Sequence, residues 1–323
     1  MNSSDCEPTP QNLTASILPP VLITELIIGL PGNLIALCIF CYHLRSWRPN
    51  ILFLFNLIVA DFLLLVSLPF RIDNYLQSDY WRFGNAWCRI NLFMLAVNRS
   101  ASIGFMTAVA VDRYFKIVHP HLKVNKINSR QASRIACFIW IVVILLRFPL
   151  LTNDLLVENT TMSTSYCRSF SGKNPSLGIK LHYMVYVGEF FLPLMLLLFC
   201  SIRIFCILRQ RQMNKVKKVQ RAIRTVLVIV GVFIICFLPG IATGLASLYL
   251  QKLGNSYCKA YTLTGQLFTM SIGFTYLNSV LDPVIYCFSS SMFRNAIKLY
   301  INRLRLVELE LVLRRSTMSA SDG

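Results

Sequence analysis

Charged residues are scarce in this chain. Of its 323 residues, 14% are Asp, Glu, Lys or Arg, whereas 55% are hydrophobic. In a soluble globular domain, about a quarter of the residues are charged. The composition therefore excludes an ordinary water-soluble domain and indicates a protein of the lipid bilayer. Basic residues outnumber acidic ones, 32 to 14, but they lie in short connectors between long apolar runs. Because they form no continuous patch, we do not expect nucleic acid as a partner.

The sequence also lacks the features of a secretory signal peptide near its start. Residues 1–18 contain Asp5 and Glu7 but neither Lys nor Arg, and they have no apolar middle section. We therefore expect the first apolar helix to direct insertion into the membrane.

Enzyme signatures are missing as well. We find no glycine-rich phosphate loop, no zinc-binding pair of His residues and no nucleophile elbow. The four His residues do not have the spacing of metal ligands. We therefore predict that the chain is not an enzyme and has no cofactor other than the ion considered below.

Long apolar runs dominate the sequence instead. A helix needs about 20 mostly apolar residues to cross a bilayer, and seven segments qualify. They are residues 21–42, 51–76, 86–118, 134–155, 181–207, 222–250 and 261–288. We predict an all-α fold, a bundle of seven transmembrane helices, in which prolines within the spans are tolerated as kinks.

The connectors predict the orientation of this bundle. Those after the first, third and fifth spans are rich in Lys and Arg, which is typical of the cytoplasmic side. The N-terminal segment, 1–20, is then extracellular, and 21–288 form the transmembrane domain. Three glycosylation sequons, at Asn2, Asn12 and Asn159, fall on the outer side. We therefore predict a multi-pass protein of the plasma membrane.

Residues 289–323 follow the last span on the inner side. Between residues 292 and 306, apolar side chains such as Phe293 and Ile297 share one helical face, with Arg and Lys around it. This pattern predicts a short amphipathic helix in contact with lipid at the inner membrane surface. A short Ser-rich tail completes the chain.

Four of the eleven Cys residues fall on the outer side, at Cys6, Cys88, Cys167 and Cys258. In an oxidising compartment, four cysteines indicate two disulfide bonds. The other seven lie in or beside apolar runs, where Cys commonly serves as a small buried hydrophobic residue.

Polar motifs inside the predicted spans carry the functional signal, because such residues are costly in a bilayer and mark functional positions. They are Gly32-Asn33, Asn56, Ala60-Asp61, Asp112-Arg113-Tyr114, Trp140, Cys236-Phe237-Leu238-Pro239, Asn278-Ser279 and Asp282-Pro283-Val284-Ile285-Tyr286. In this order, and over nearly the whole chain, the motifs resemble those of the rhodopsin-like G-protein-coupled receptors.

The resemblance implies two disulfides, Cys88–Cys167 and Cys6–Cys258. It also implies that Arg113 pairs with Asp112 at rest and meets a heterotrimeric G protein when the sixth helix swings outward. Tyr286 then moves inward to support that state, and arrestin is a further candidate partner. The full set of switch residues by this likeness is Asp112, Arg113, Tyr114, Phe237, Pro239, Asp282, Pro283 and Tyr286.

Similar receptors hold a sodium ion among polar residues of the second, third and seventh spans. The matching residues here are Asp61, Asn98, Ser102, Asn278, Ser279 and Asp282. Hard oxygen ligands suit such a cation, and a network of hydrogen-bonded water is the alternative. Two neighbouring carboxylates need a counter-charge, which favours the ion.

Arg99 indicates the chemistry of the ligand from the residues themselves. It lies eleven residues after Cys88, roughly 16 Å below the outer end of the third span. A guanidinium that faces the bundle interior binds a carboxylate through two parallel hydrogen bonds. We therefore predict an organic carboxylate as the ligand. The alternative is a structural salt bridge, for instance to Glu189 in the fifth span.

Further segments narrow the resemblance to the hydroxycarboxylic acid receptors and the neighbouring oxoeicosanoid receptor. They include Leu95-Ala-Val-Asn98-Arg99, Trp81-Arg-Phe83-Gly84, Glu189-Phe-Phe-Leu-Pro193 and Phe274-Thr-Tyr276. This likeness implies that Arg99 grips the ligand carboxylate, and that Arg71 is a second basic residue of the site. Its other residues are then Leu95, Ser169, Phe170 and Tyr276.

The small residues Gly244 and Ala246, with Met270 nearby, favour room for an apolar tail. The prediction therefore leans to an oxidised fatty acid, with a short acid such as lactate, hydroxybutyrate or a niacin-like acid as the alternative. The likeness also implies coupling to inhibitory G proteins and a fall in cyclic AMP. More distant alternatives are a peptide or chemokine receptor and a transporter of organic acids, although transporters commonly contain internal repeats.

One charged residue is left over, Arg147 in the fourth span. A long basic side chain near a helix end can extend to the membrane surface. We expect Arg147 either to do so or to pair with Asp154.

Overall fold

Seven long helices make up most of the chain in the computed structural model. The structure describes residues 12–43, 48–122, 125, 127–159, 164–168, 176–210, 217–253, 257–290, 292–299 and 302. The long helices are α1 (Asn12–His43), α2 (Pro49–Leu76), α3 (Gly84–Val118), α4 (Ser129–Arg147), α5 (Leu177–Gln210), α6 (Lys217–Leu253) and α7 (Cys258–Ser289). A short helix, α8, follows over residues 292–299.

The helices agree with the predicted spans, and the largest differences are at two ends. α1 begins at Asn12, within the segment predicted to be an extracellular tail. α4 ends at Arg147, before the predicted 155, because Pro149 begins a separate helical turn, Pro149–Thr152. Proline favours the first turn of a helix, where its missing N–H group is not needed. The other prolines of the predicted spans lie inside helices, as expected, at Pro31, Pro69, Pro193, Pro239 and Pro283.

Six of the described helices, α1 to α6, are long and apolar enough to cross a bilayer. α7 is not among these six, since its inner half carries the buried polar residues Asn278, Ser279 and Asp282. Large apolar side chains such as Phe138 and Leu192 are exposed on the outside of the bundle, as expected for helices that face lipid.

Two of the polar motif residues hold helices together. The side-chain amide of Asn33 on α1 donates to the carbonyl oxygen of Ser279 on α7 at 2.9 Å. The indole N–H of Trp140 on α4 donates to Oδ1 of Asn56 on α2, also at 2.9 Å. Within lipid, hydrogen bonds between helices favour their association, because the alternative is an unsatisfied polar group.

The outer end of the bundle is braced by a hairpin and a disulfide. Strands β1 (Leu156–Asn159) and β2 (Thr164–Cys167) pair antiparallel, and the Cys88–Cys167 disulfide joins β2 to the outer end of α3. This confirms the first predicted bridge. Cys258 is also disulfide-bonded, and its predicted partner, Cys6, lies outside the described residues.

The short helix α8 packs against the inner end of the bundle. Phe293 is buried, and its ring centroid lies 5.8 Å from those of Tyr286 and Phe40. Nη1 of Arg294 donates to the carbonyl oxygen of Cys287 at 2.5 Å. The predicted amphipathic helix is therefore present over 292–299, and most of its predicted continuation to 306 lies outside the described residues.

Candidate ligand-binding site

Arg99 lies inside the bundle where α3, α5 and α6 meet. Only 5% of the residue is exposed. Its Cζ atom lies 3.7 Å from the ring centroid of Tyr186 on α5 and 5.6 Å from that of Phe237 on α6. Both distances are within the range of cation–π attraction. The guanidinium is thus held in place by aromatic rings.

The terminal nitrogens of Arg99, Nη1 and Nη2, are buried and have no hydrogen-bond partner among the residues that the structure describes. No acidic side chain in that part of the chain forms a salt bridge with it. A buried cation is stable only when it is paired and hydrogen-bonded, and ring contacts alone do not supply this. These two nitrogens are suitably placed donors for an anion.

A structural salt bridge between Arg99 and Glu189 was the alternative to a ligand contact, and this salt bridge is not formed. It forms a salt bridge with Arg147 of α4 instead. The two expectations for Arg147 are also wrong, because the side chain is 1% exposed and does not extend outward. Asp154, its other expected partner, accepts a hydrogen bond from Asn85 at 2.8 Å. The fourth span therefore contributes a fully buried arginine to the interior.

The Arg147 cluster is the feature that the sequence interpretation missed. Besides Glu189, Arg147 contacts Ser100 of α3 at 2.9 Å and His182 of α5 at 2.8 Å. Arg147 and Glu189 were both recognised as charged residues within spans. Two opposite charges of this kind on neighbouring helices suggest a pair, and that signal was available.

Arg71 is buried on α2 and already has partners. Its Nε donates to Oδ1 of Asn91 at 2.7 Å, and its Nη1 to the carbonyl oxygen of Cys167 at 3.2 Å. Its Cζ atom lies 5.4 Å from the ring centroid of Trp81. In this structure Arg71 ties α2 to α3 and to the disulfide, and it is less available to a ligand than Arg99.

Two of the remaining predicted ligand residues, Tyr276 and Leu95, belong to one apolar cluster. Tyr276 of α7 is buried in a cluster with Tyr75 and Leu68, and Leu95 packs against this cluster. Leu95 is also one helical turn outside Arg99 on α3. Ser169 and Phe170 lie outside the described residues.

Two glycines of α6 allow close packing beside the site. A Cβ atom at Gly240 would lie 2.7 Å from the hydroxyl oxygen of Tyr186. A Cβ atom at Gly244 would lie 3.2 Å from Cε2 of Phe268. Part of the room that the sequence indicated at Gly244 is thus occupied by the Phe268 ring.

The six residues of the predicted sodium site lie on α2, α3 and α7. All six are buried. Oδ2 of Asp61 accepts a hydrogen bond from Tyr286 at 3.0 Å, and Oδ2 of Asp282 accepts one from Asn278 at 3.2 Å. Each of these six residues has one buried oxygen without a hydrogen-bond partner in the described chain: Oδ1 of Asp61, Asn98, Asn278 and Asp282, and Oγ of Ser102 and Ser279. Such a group of oxygens fits a hard cation.

The inner switch residues differ from the expected resting arrangement. Asp112 pairs with Lys116 at 2.7 Å, and Nη2 of Arg113 donates to the carbonyl oxygen of Ser289 on α7 at 3.0 Å. Residues four apart share a helix face, whereas adjacent residues do not, which explains why Asp112 prefers Lys116. The expected hydrogen bond between Asp112 and Arg113 is therefore not formed in this conformation.

The other switch residues form contacts at the same end and in the centre. The Tyr114 hydroxyl lies 3.3 Å from Nε2 of His119. Phe237 is buried, and its ring centroid lies 5.3 Å from that of Phe233. Since Phe237 also contacts Arg99, it connects the candidate site with the core of α6. Pro239 and Pro283 lie within α6 and α7.

Two of the glycosylation candidates lie in described elements. Asn12 is the first residue of α1, and Asn159 is the last residue of β1. Asn2 lies outside the described residues.

The sequence is similar to those of known membrane receptors. Residues 32–286 match the model of the rhodopsin family of seven-transmembrane receptors. Hydroxycarboxylic acid receptor 2 of Rattus norvegicus is 46% identical, over 100% of this chain and 86% of the relative. Oxoeicosanoid receptor 1 of Homo sapiens is 45% identical, over 89% of this chain and 73% of the relative. Hydroxycarboxylic acid receptor 1 of Homo sapiens is 42% identical, over 92% of this chain and 82% of the relative.

The family match covers most of the chain, and its relatives are named receptors and not enzymes. The helices, the motifs and the Cys88–Cys167 disulfide described above agree with it. The chain is therefore a multi-pass membrane receptor of the rhodopsin family, in the group that includes the hydroxycarboxylic acid and oxoeicosanoid receptors.

Proposed function

We propose that this receptor binds an organic monocarboxylate from outside the cell and activates inhibitory G proteins, which lowers cyclic AMP. The observation that carries the proposal is the buried guanidinium of Arg99, whose two terminal nitrogens have no hydrogen-bond partner in the described chain. A carboxylate accepts two parallel hydrogen bonds from such a group. The named relatives are receptors for carboxylic acids, which supports the same chemistry.

The charges around Arg99 favour a ligand with a single negative charge. Arg99 and Arg147 supply two positive charges, and Glu189 supplies one negative charge through its salt bridge with Arg147. His182 accepts a hydrogen bond from Arg147 at Nδ1, so its ring is neutral, because arginine is a donor only. One positive charge is left uncompensated, and one carboxylate neutralises it.

The length of the ligand distinguishes two versions of this function. An oxidised fatty acid is favoured by the absence of side chains at Gly244 and by the small Ala246 on α6. A short hydroxycarboxylic acid is favoured by the Phe268 ring, which lies against Gly244 and narrows that part of the bundle. Both versions require the same contact between a carboxylate and Arg99.

We also propose that a sodium ion binds among the buried oxygens around Asp61 and Asp282 and modulates agonist affinity. Six buried oxygens of α2, α3 and α7, which have no hydrogen-bond partner in the described chain, are its candidate ligands. The ion supplies positive charge between two carboxylates that otherwise repel each other. Agonist affinity should then depend on the sodium concentration, and Asp61→Asn should abolish this dependence.

On the inner side, we propose that the G protein meets Arg113 after α6 moves outward. In the present conformation Arg113 is bound to the carbonyl oxygen of Ser289, and Thr225 of α6 donates to the carbonyl oxygen of Phe288 at 3.0 Å. The second contact must break when α6 swings away from α7. We place the receptor in the plasma membrane with its N-terminus outside, and arrestin is a further proposed partner.

The proposal is tested with a panel of acids applied to cells that display the receptor. The panel contains lactate, 3-hydroxybutyrate, niacin and an oxidised twenty-carbon fatty acid, each with its methyl ester. The readout is G-protein activation together with cyclic AMP. At least one free acid should activate the receptor and lower cyclic AMP, and its ester should be weaker by about 100-fold, since it cannot form the charged pair.

The same panel separates the alternatives. Equal potency of acid and ester overturns the proposed ligand class. Accumulation of labelled acid inside receptor-containing vesicles indicates a transporter, whereas a receptor binds the acid without accumulating it. Activation by basic peptides, with no response to any acid, indicates a peptide receptor.

A further inference from the structure

Four side chains from α3, α4 and α5 form a closed polar cluster beside Arg99. Arg147 donates from Nε to Oγ of Ser100 at 2.9 Å and from Nη1 to Nδ1 of His182 at 2.8 Å. Its Nη2 pairs with Oε2 of Glu189. The Ser100 hydroxyl donates to the other oxygen of Glu189, Oε1, at 2.5 Å. All three nitrogens of Arg147 and both oxygens of Glu189 are therefore in use.

Glu189 lies close to both buried arginines. On α5 it is one helical turn from Tyr186, the residue whose ring covers Arg99. Its hydrogen-bond partner Ser100 is the residue next to Arg99 on α3. A carboxylate in this position has a second cation nearby, yet it pairs with Arg147 alone.

We propose that Arg147 is a positioning residue that determines the ligand class of the Arg99 site. It holds Glu189 in the Ser100 and His182 cluster, so that Arg99 keeps no internal counter-ion and accepts the carboxylate of a ligand. This inference rests on the proposed function. When Arg147 is removed, Glu189 turns to Arg99, neutralises it and competes with the ligand.

The first experiment measures potency of the acid and the methyl ester that the panel identifies. In Arg147→Gln, the potency of the acid should fall about tenfold or more, because the Glu189 carboxylate then pairs with the Arg99 guanidinium. The potency of the ester should change little. In Arg147→Gln/Glu189→Gln, which removes the competing carboxylate, the acid should recover to within about threefold of the wild type. Glu189→Gln alone should also respond to the acid.

Rescue by the second substitution separates this role from a purely structural one. If the loss in Arg147→Gln came from weakened packing, removing Glu189 would not restore the response. Unchanged acid potency in Arg147→Gln overturns the inference. The double variant is informative even where Arg147→Gln fails to reach the surface, since it carries no unpaired carboxylate. A displayed double variant that does not respond to the acid also overturns the inference.

A second experiment needs no ligand and keeps the inference separate from the proposed function. Melting temperatures of purified full-length receptor are measured for Arg99→Gln, Glu189→Gln and their combination, in the wild type and in Arg147→Gln. The inference predicts additive effects of the two substitutions in the wild type. It predicts a stabilising coupling of several degrees in Arg147→Gln, where the Arg99–Glu189 pair can form. Additive effects in both backgrounds overturn it, whatever the acid panel shows.

Discussion

Arg99 and Arg147 are both arginines buried within the membrane-spanning bundle, yet their surroundings differ. Arg147 uses all three side-chain nitrogens in contacts with Ser100, His182 and Glu189. Arg99 has aromatic rings around it but no hydrogen-bond partner for its terminal nitrogens within the described chain. The comparison teaches that burial of a charge does not identify a binding site. The informative property is whether the protein itself satisfies that charge.

Helix geometry explains why two arginines so close together have different partners. Arg99 and Ser100 are adjacent on α3, and adjacent residues point about 100° apart around a helix. Ser100 therefore faces the α4 and α5 side, where it contacts Arg147 and Glu189. Arg99 faces Tyr186 and Phe237 on α5 and α6. A shift of one residue along α3 separates the structural cluster from the candidate ligand site.

The largest expected effect is that of removing the unpaired guanidinium. Arg99→Ala should abolish the response to the acid, because deleting one member of a buried charge pair costs about 2–5 kcal/mol, which is roughly 30-fold or more in potency. Potency and surface display are measured together in cells. Arg82→Ala is the matched control, since Arg82 is exposed on the outer side and pairs with Asp73. Full acid potency in a displayed Arg99→Ala variant contradicts the assignment.

A smaller loss is expected when the charge of Arg99 is kept and its shape is changed. Arg99→Lys should weaken the acid about tenfold, because an ammonium group cannot form two parallel hydrogen bonds with one carboxylate. Dose–response curves for the acid give the shift directly. A lysine variant as weak as Arg99→Ala would mean that geometry matters more than charge, and an unaffected one would mean that charge alone suffices.

The aromatic support of Arg99 should contribute less than its charge. Tyr186→Leu removes the ring that lies 3.7 Å from Cζ of Arg99, and cation–π contacts contribute about 0.5–2 kcal/mol. Acid potency should fall by a few-fold up to about 30-fold. Tyr186→Phe keeps the ring and should stay close to the wild type. Equal losses in the two variants would assign the effect to the hydroxyl group instead.

The smallest effect on potency is expected at Arg71, a third buried arginine whose partners are Asn91 and Cys167. Arg71→Gln should lower the melting temperature of the purified receptor, because a buried acceptor left without its donor costs about 1–3 kcal/mol. The potency ratio of acid to ester should be unchanged. A large fall in that ratio would instead assign Arg71 to the ligand site, as the sequence resemblance implied.

The number and order of the helices could be predicted from the sequence, because long apolar runs and the sidedness of basic connectors are properties of the chain alone. The Cys88–Cys167 disulfide was implied by resemblance and is present. The early end of α4 was missed, although Pro149 signals it. The Asp112–Lys116 salt bridge could also have been predicted from the sequence, since the two residues are four apart on one helix.

The sequence shows opposite charges at Arg147 and Glu189 within spans, which suggests a pair, but it does not show that the two side chains face each other. Whether a side chain on α4 faces lipid or the interior depends on how the helix is rotated against its neighbours, which packing determines. The same limit applies to Arg71, whose partner on β2 is a backbone carbonyl. The narrowing at Gly244 depends on the Phe268 ring of α7. These contacts join distant parts of the chain, so local patterns do not predict them.

The most direct measurement of the central claim is a double-substitution cycle between receptor and ligand. Potencies of the active acid and its methyl ester are determined on the wild type and on Arg99→Gln, at equal surface display. If Arg99 binds the carboxylate, the acid should be about 100-fold more potent than the ester on the wild type, and the two should be nearly equal on Arg99→Gln. An acid-to-ester ratio that is the same on both receptors would contradict the account.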